Sequence, residues 1–171
     1  WLASNFDYAK TMIAIRNAAG SYLTAFSTMS STATVPVSIK AAEVNTGNSA
    51  LANVAMPIMA NVHLLGDAIS TPVLAMVTML LFFGKMPALG IYLYFAWKFC
   101  LSMFAVAGVP AGGILVMIPV LQMYLGFTDE MIGVMMTLYI LLDSFGTAAN
   151  VMGDGALVMM VDKVIKRLKL V

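Results

Sequence analysis

Four stretches of this chain, residues 17–39, 44–66, 68–84 and 99–128, contain no Asp, Glu, Lys or Arg. Several reach the ~20 residues that a helix needs to cross a bilayer core. A soluble domain carries about 25% charged residues, because its surface must be solvated. Here the charged share is 10%, the hydrophobic share 61% and the mean hydropathy +0.94. So few charges cannot cover a water-facing surface, and the chain is read as an integral, multi-pass, all-α membrane protein.

The same composition excludes other classes. A net charge of +1, with no basic cluster interleaved with aromatics, gives no basis for nucleic-acid binding. The one basic run is Lys163, Lys166, Arg167 and Lys169, expected to form a cytoplasmic tail over residues 163–171 under the positive-inside bias. By the same bias Lys10, Arg16 and Lys40 are expected inside, and Asp129 and Glu130 outside. The lone Cys100 excludes an internal disulfide, and no Cys/His spacing fits a zinc site. The 16 Met read as gap-filling or lipid-facing residues. The chain opens at Trp1 without an initiator Met, a basic n-region or a cleavage site, so the expectation is a fragment with no signal peptide.

The apolar segments are interrupted. Ser27, Thr28, Ser30, Ser31, Thr32 and Thr34 form a hydroxyl-rich run closed by Pro36. Pro36 biases Val35 away from helix, so a break is expected there. Residues 51–83 can span, but hold Asn61, His63, Gly66, Asp67 and Pro72, which predicts a discontinuous helix. The run Gly108-Val109-Pro110-Ala111-Gly112-Gly113 splits two further apolar arms. The pattern predicts re-entrant helical hairpins at 6–49 and 87–126, each followed by a transmembrane helix, at 51–83 (broken) and at 129–162. Lipid cannot hydrogen-bond a broken backbone, so such breaks persist only where they line a cavity or pack inside protein. Paired broken segments point to a transporter binding site.

The last helix carries a polar stripe. At 100° per residue Asp143, Thr147, Asn150 and Asp154 fall within about 60° of one another. An ionised Asp at mid-bilayer costs roughly 2.5–3.5 kcal/mol on insertion scales, so this face is not expected to meet lipid. Its oxygens suit a hard cation such as Na⁺, and free amides at broken-helix ends suit a carboxylate. The bland alternative is that Asp143 and Asp154 only glue helices together. His63 and Asp67, four apart, share a face if the helix is continuous there. His63 is then either a cation-site neighbour or proton carrier, or a histidine bonded to a backbone carbonyl.

Four motifs in this order resemble the dicarboxylate/amino acid:cation symporter family, which includes glutamate and aspartate transporters. The run from Ser30 to Val37 is similar to the family's serine-rich first hairpin tip. Residues 57–67 stand where the family has an Asn-Met-Asp-Gly-Thr break, and residues 107–113 resemble the second tip. Residues 143–154 resemble the motif Asp-x-x-Arg-Thr-x-x-Asn-Val-x-Gly-Asp. The resemblance implies a transport domain that moves against a trimeric scaffold formed by earlier helices, giving a homotrimer in the cell (inner or plasma) membrane. It implies that Ser30, Ser31, Val109 and Gly113 meet a small-molecule substrate, Asp143 holds its amino group, and Thr147 and Asn150 complete the pocket. It places Na⁺ at Met59, Asn150 and Asp154, with His63 beside it.

Departures from the family pattern carry their own expectations. Gly146 stands where acidic-substrate members have Arg, the residue that pairs bidentately with a carboxylate. The expected solute is therefore a neutral amino acid rather than an acidic one, with a dicarboxylate as the further option. His63, Leu65 and Asp67 replace the Asn, Asp and Thr of the break. One family sodium site loses its carboxylate, while Asp67 restores an acid near the substrate. Coupling then uses fewer sodium ions, or a proton through His63 or Asp67. No enzymatic activity is expected. The rival readings are an intramembrane aspartyl protease built on Asp67 with Asp143 or Asp154, and a transport-inactive membrane fragment. The protease reading lacks its Gly-x-Gly-Asp context, since positions 64 and 151 are Leu and Val.

Overall fold

A computed structural model describes residues 1–168; the expectation for Lys169 lies outside them. Among the described residues the chain is helical and without strands. After a short turn of 3-10 helix at Leu2–Ser4, α1 (Tyr8–Asn17) meets α2 (Ala19–Thr28) at Ala18. There follow α3 (Ser31–Thr46), α4 (Ser49–Val62), α5 (Leu65–Phe83), α6 (Leu89–Met103), α7 (Gly112–Leu125) and α8 (Asp129–Arg167).

Two pairs of helices fold back on themselves. Asn17 Nδ2 donates to Asn45 Oδ1 at 2.8 Å, and Asn45 Nδ2 to the Ala14 carbonyl at 3.2 Å. Those contacts set the end of α1 beside the end of α3, so α2 and α3 run antiparallel. Likewise Tyr94 of α6 stacks edge-on against Tyr124 of α7 with ring centroids 5.2 Å apart. α8 runs beside α2, α3, α4 and α5. At 39 residues it is roughly 58 Å long, about twice a hydrocarbon core.

The main core lies where α6 and α7 close over α5 and α8. Phe95, Ile114, Met117, Leu121, Met131 and Met135 are fully enclosed there. Several methionines thus fill gaps between helices, as thioethers do well. Outside, Leu81, Leu89, Met123 and Leu141 stay exposed, a surface for hydrocarbon rather than water. Ser49–Phe83, counted through its interruption, and Asp129–Arg167 are long and apolar enough to cross a membrane.

The breaks do not fall where proline alone would put them. Pro36 lies inside α3, and the chain breaks instead at Met29–Ser30. There Met29 adopts a left-handed φ of 50° and Ser30 caps α3 by accepting from the Ala33 N–H at 3.1 Å. Pro36 forfeits one intrahelical bond, which the cap and the burial of Thr34, Ser38, Ala41 and Ala42 offset. Pro72 is likewise inside α5, and the second break is at His63–Leu64. His63 and Asp67 therefore do not share a helix face. Gly66 is needed for contact rather than freedom: a Cβ there would lie 2.3 Å from the Gly146 carbonyl oxygen. Gly66 lets the start of α5 touch the backbone of α8 at Gly146, where an added Cβ would meet open space.

The C-terminal basic run is also more structural than expected. α8 continues to Arg167, past the expected boundary at 162. Lys166 pairs with Asp162 at 2.6 Å and donates to the Thr46 carbonyl at the end of α3 at 2.8 Å. Lys163 donates to Asn5 Oδ1 at 2.6 Å. A cation on terminal carbonyls complements the helix dipole, so these lysines tie α8 to the N-terminal half.

This packing predicts opposite outcomes for two glycine substitutions in α5 and α8. Gly66→Ala must push the helices apart and lowers the unfolding temperature in detergent by several degrees. Gly133→Ala, with open space around the added Cβ, is neutral or stabilising by up to ~1 kcal/mol through helix propensity.

Candidate functional site

Both breaks and the loop between α6 and α7 converge on the polar stripe of α8. Asn150 is the hinge of this arrangement. Its Oδ1 accepts from the Gly66 N–H at 2.6 Å, one of the amides left unpaired at the start of α5. Its Nδ2 donates to Asp67 Oδ2 at 2.7 Å. The other Asp67 oxygen accepts a short bond from the Tyr139 hydroxyl. Asp143 accepts from the Ala111 N–H at 2.9 Å and from Thr147 Oγ1 at 3.1 Å.

The two tips touch each other through Gly108. Its carbonyl accepts from Ser30 Oγ at 2.7 Å and from the Thr32 N–H at 3.1 Å, while its N–H donates to Asn61 Oδ1 at 3.3 Å. A Cβ at position 108 would fall 2.6 Å from Thr32 Oγ1 and 2.9 Å from the Ala60 carbonyl. Only glycine allows this approach.

Among the residues singled out from sequence, Ser31, Asp67, Val109, Gly113, Asp143, Thr147 and Asn150 line one cavity. Its free space is about 10 Å³, room for about one water. A solute of any size enters only if the tips part. Ser30 does not line the cavity; it caps α3 and holds Gly108. Gly146 does not line it either, and sits against Gly66. The cavity also includes Tyr139, which sequence reasoning missed. Its signal was available, since Tyr139 precedes Asp143 by one turn on the same stripe. Asn61 and Gly108 were visible as polar and loop residues, but their pairing depends on contacts distant in sequence.

Asp154 lies on the far side of Asn150 and is 0% exposed. Its Oδ1 is 2.8 Å from His63 Nδ1, and its Oδ2 is buried without a hydrogen-bond partner. An unpaired buried carboxylate oxygen is costly. It is the kind of donor a hard cation takes. The Met59 carbonyl accepts from the His63 N–H at 2.9 Å, so the three residues expected around Na⁺ are all engaged with the same break. No cluster of three His, Cys, Asp or Glu side chains occurs among the described residues.

An all-helical membrane fold whose breaks and polar stripe meet at a cavity is the frame of a solute carrier. The chain matches the sodium:dicarboxylate symporter family over residues 4–164 and belongs to it. It is 35% identical over 137 residues to the serine/threonine transporter SstT of Acinetobacter baumannii strain SDF. It is 34% identical over the same length to that of strain ATCC 17978. Each alignment covers 75% of this chain, and the matched part spans 32% of the relative's length.

Closure of the tips over the cavity should depend on position 108. Gly108→Ala is expected to loosen the latch. In a Cys100→Ser background, a Val106→Cys thiol, at a buried position of the cavity lining, then reacts faster with a polar maleimide than in the Gly108 parent. An unchanged rate would mean that the latch does not hold the loop.

Proposed function

We propose that this chain is the transport domain of a cation-coupled symporter for a small solute, an amino acid that is neutral rather than acidic. The convergence of Asp143, Thr147, Asn150 and both tips on one closed cavity carries this reading. The starts of α3 and α7 flank the cavity at Ser31 and Gly113, and helix N-termini favour a carboxylate. Asp143 suits the solute's ammonium. It now holds the Ala111 N–H, so an arriving ammonium competes with the loop 104–111 for the same oxygens, and solute entry and loop opening become one event.

Sodium is the proposed coupling ion, held by Asp154, the Asn150 amide oxygen and the Met59 carbonyl. The unpaired Asp154 Oδ2 supports this. A proton is the second option, favoured by the imidazole of His63 on Asp154 Oδ1. The family frame supports placing 6–49 and 87–126 as half-depth hairpins in a multi-pass inner or plasma membrane protein. It also supports a homotrimer assembled through a scaffold outside this chain. The relatives' names support an amino-acid solute. Membership of a symporter family favours transport over peptide hydrolysis. Asp67 and Asp143 are each bonded to separate neutral donors rather than to one another.

In the full-length protein reconstituted in liposomes, Asp154→Asn should reduce cation-driven uptake and weaken apparent cation affinity by roughly tenfold or more, the effect of about 1.4 kcal/mol. Membrane insertion should stay normal. A variant that inserts normally and keeps its ion dependence would contradict the proposal.

A further inference from the structure

We propose that the exposed side of the second hairpin, where α6 and α7 meet, binds an anionic phospholipid. Its phosphate lies on the Lys98 ammonium and an acyl chain occupies the slot beneath. This rests on the membrane placement of residues 87–126 given above, and not on which solute or ion is carried.

Lys98 is the one Lys or Arg between Lys85 and Lys163. It lies nine residues past Leu89, the start of α6, roughly 14 Å along the helix, in an arm with no other charge. A cation there needs an anionic partner or a route to the interface. The ion pairs among the described residues join Lys10, His63 and Lys166 to aspartates, and none includes Lys98. Its ammonium instead sits 5.4 Å from the ring centroid of Tyr94, one turn back toward the mouth of the hairpin. It is 6.0 Å from that of Tyr124, next to the last residue of α7. The side chain thus snorkels toward the interface, where Tyr and Trp gather. Tyr94 and Trp97 are exposed beside it. Aromatic faces attract a cation but leave its charge uncompensated.

Below the ammonium the surface changes character. A slot of about 310 Å³ opens between the two helices, with Leu101, Pro119 and Val120 on the side nearer the tip and Met123 beside Tyr124. That is the low end of small-molecule sites, roughly 300–1,000 Å³. Ser102, which also lines it, donates to the Lys98 carbonyl of its own helix at 3.0 Å. A cation above hydrocarbon walls matches a phospholipid, whose anion stands above its acyl chains. An irregular peptide segment would bring backbone groups that these walls cannot pair. A phosphodiester meets the ammonium as a point charge, whereas a zwitterionic headgroup brings a cation of its own to the same place.

The experiment uses the full-length protein, delipidated in detergent, and native mass spectrometry. The probes are phosphatidylglycerol, phosphatidylcholine and the chain-free headgroup glycerophosphoglycerol. Phosphatidylglycerol is expected to bind in preference to phosphatidylcholine, and the chain-free headgroup to show no measurable binding. Lys98→Gln should weaken phosphatidylglycerol binding at least about fivefold, the contribution of one lysine near an anionic surface, with phosphatidylcholine unchanged. Lys98→Arg should keep the preference. Met123→Trp, which narrows the slot and keeps the cation, should weaken phosphatidylglycerol binding as well. Undiminished phosphatidylglycerol binding in Lys98→Gln, or equal binding of the chain-free headgroup, overturns the inference. So does a Lys98→Gln variant whose unfolding temperature falls by several degrees in lipid-free detergent, since an acidic residue elsewhere in the protein would then be the partner. Uptake into phosphatidylcholine liposomes separates this inference from the transport reading. Its absence in parent and Lys98→Gln alike overturns transport and leaves the lipid site standing.

Discussion

A backbone interrupted inside hydrocarbon must find hydrogen-bond partners within the protein, and here one side chain, Asn150, takes the Gly66 N–H at the break. Asn150 takes the orphaned Gly66 N–H on its oxygen and gives an N–H to Asp67. The break at His63–Leu64 is held by α8, through the bond from the Gly66 N–H to Asn150. Neither residue at that break is Gly or Pro. What the local sequence contributes is Gly66, small enough for the helix backbones to touch.

From that junction the rest of the site follows by contact. Asp67 is turned toward Tyr139 and the cavity, while His63 is turned to the opposite side, onto Asp154. One interruption thus separates two acidic regions along α8, Asp143 at the cavity and Asp154 beside His63. Asn150 lies between them and bonds to the same backbone. In the proposed function, this shared residue is how occupancy on one side is felt on the other. The second tip completes the enclosure through Gly108 and Ala111, which bind the first tip and Asp143 respectively.

Much of this was legible in the sequence because membrane burial leaves few polar residues, and each one present needs a reason. Asp143, Thr147, Asn150 and Asp154 stood out by helical spacing alone, and the hydroxyl and Gly/Pro runs marked the tips. What could not be read was which of several candidate breakers acts. Pro36 and Pro72 are tolerated within helices because each removes one backbone bond in a well-packed segment. The real interruptions depend on a serine cap and on an asparagine more than eighty positions away. Gly146 illustrates the same limit. It was read for the donor it lacks, and the structure adds that its backbone carbonyl lies against Gly66. Tyr139 was marked only by its place one turn before Asp143, and its polar role shows where its hydroxyl meets Asp67.

The most direct measurement is an electron cryo-microscopy map of the full-length protein in lipid nanodiscs with a transported solute added. The account predicts solute density enclosed by Asp143, Ser31 and Asp67 beneath the loop 104–111, with Asn150 still bridging to Gly66. Solute bound elsewhere, or a stripe of α8 turned to lipid with the Gly66 contact absent, would contradict it.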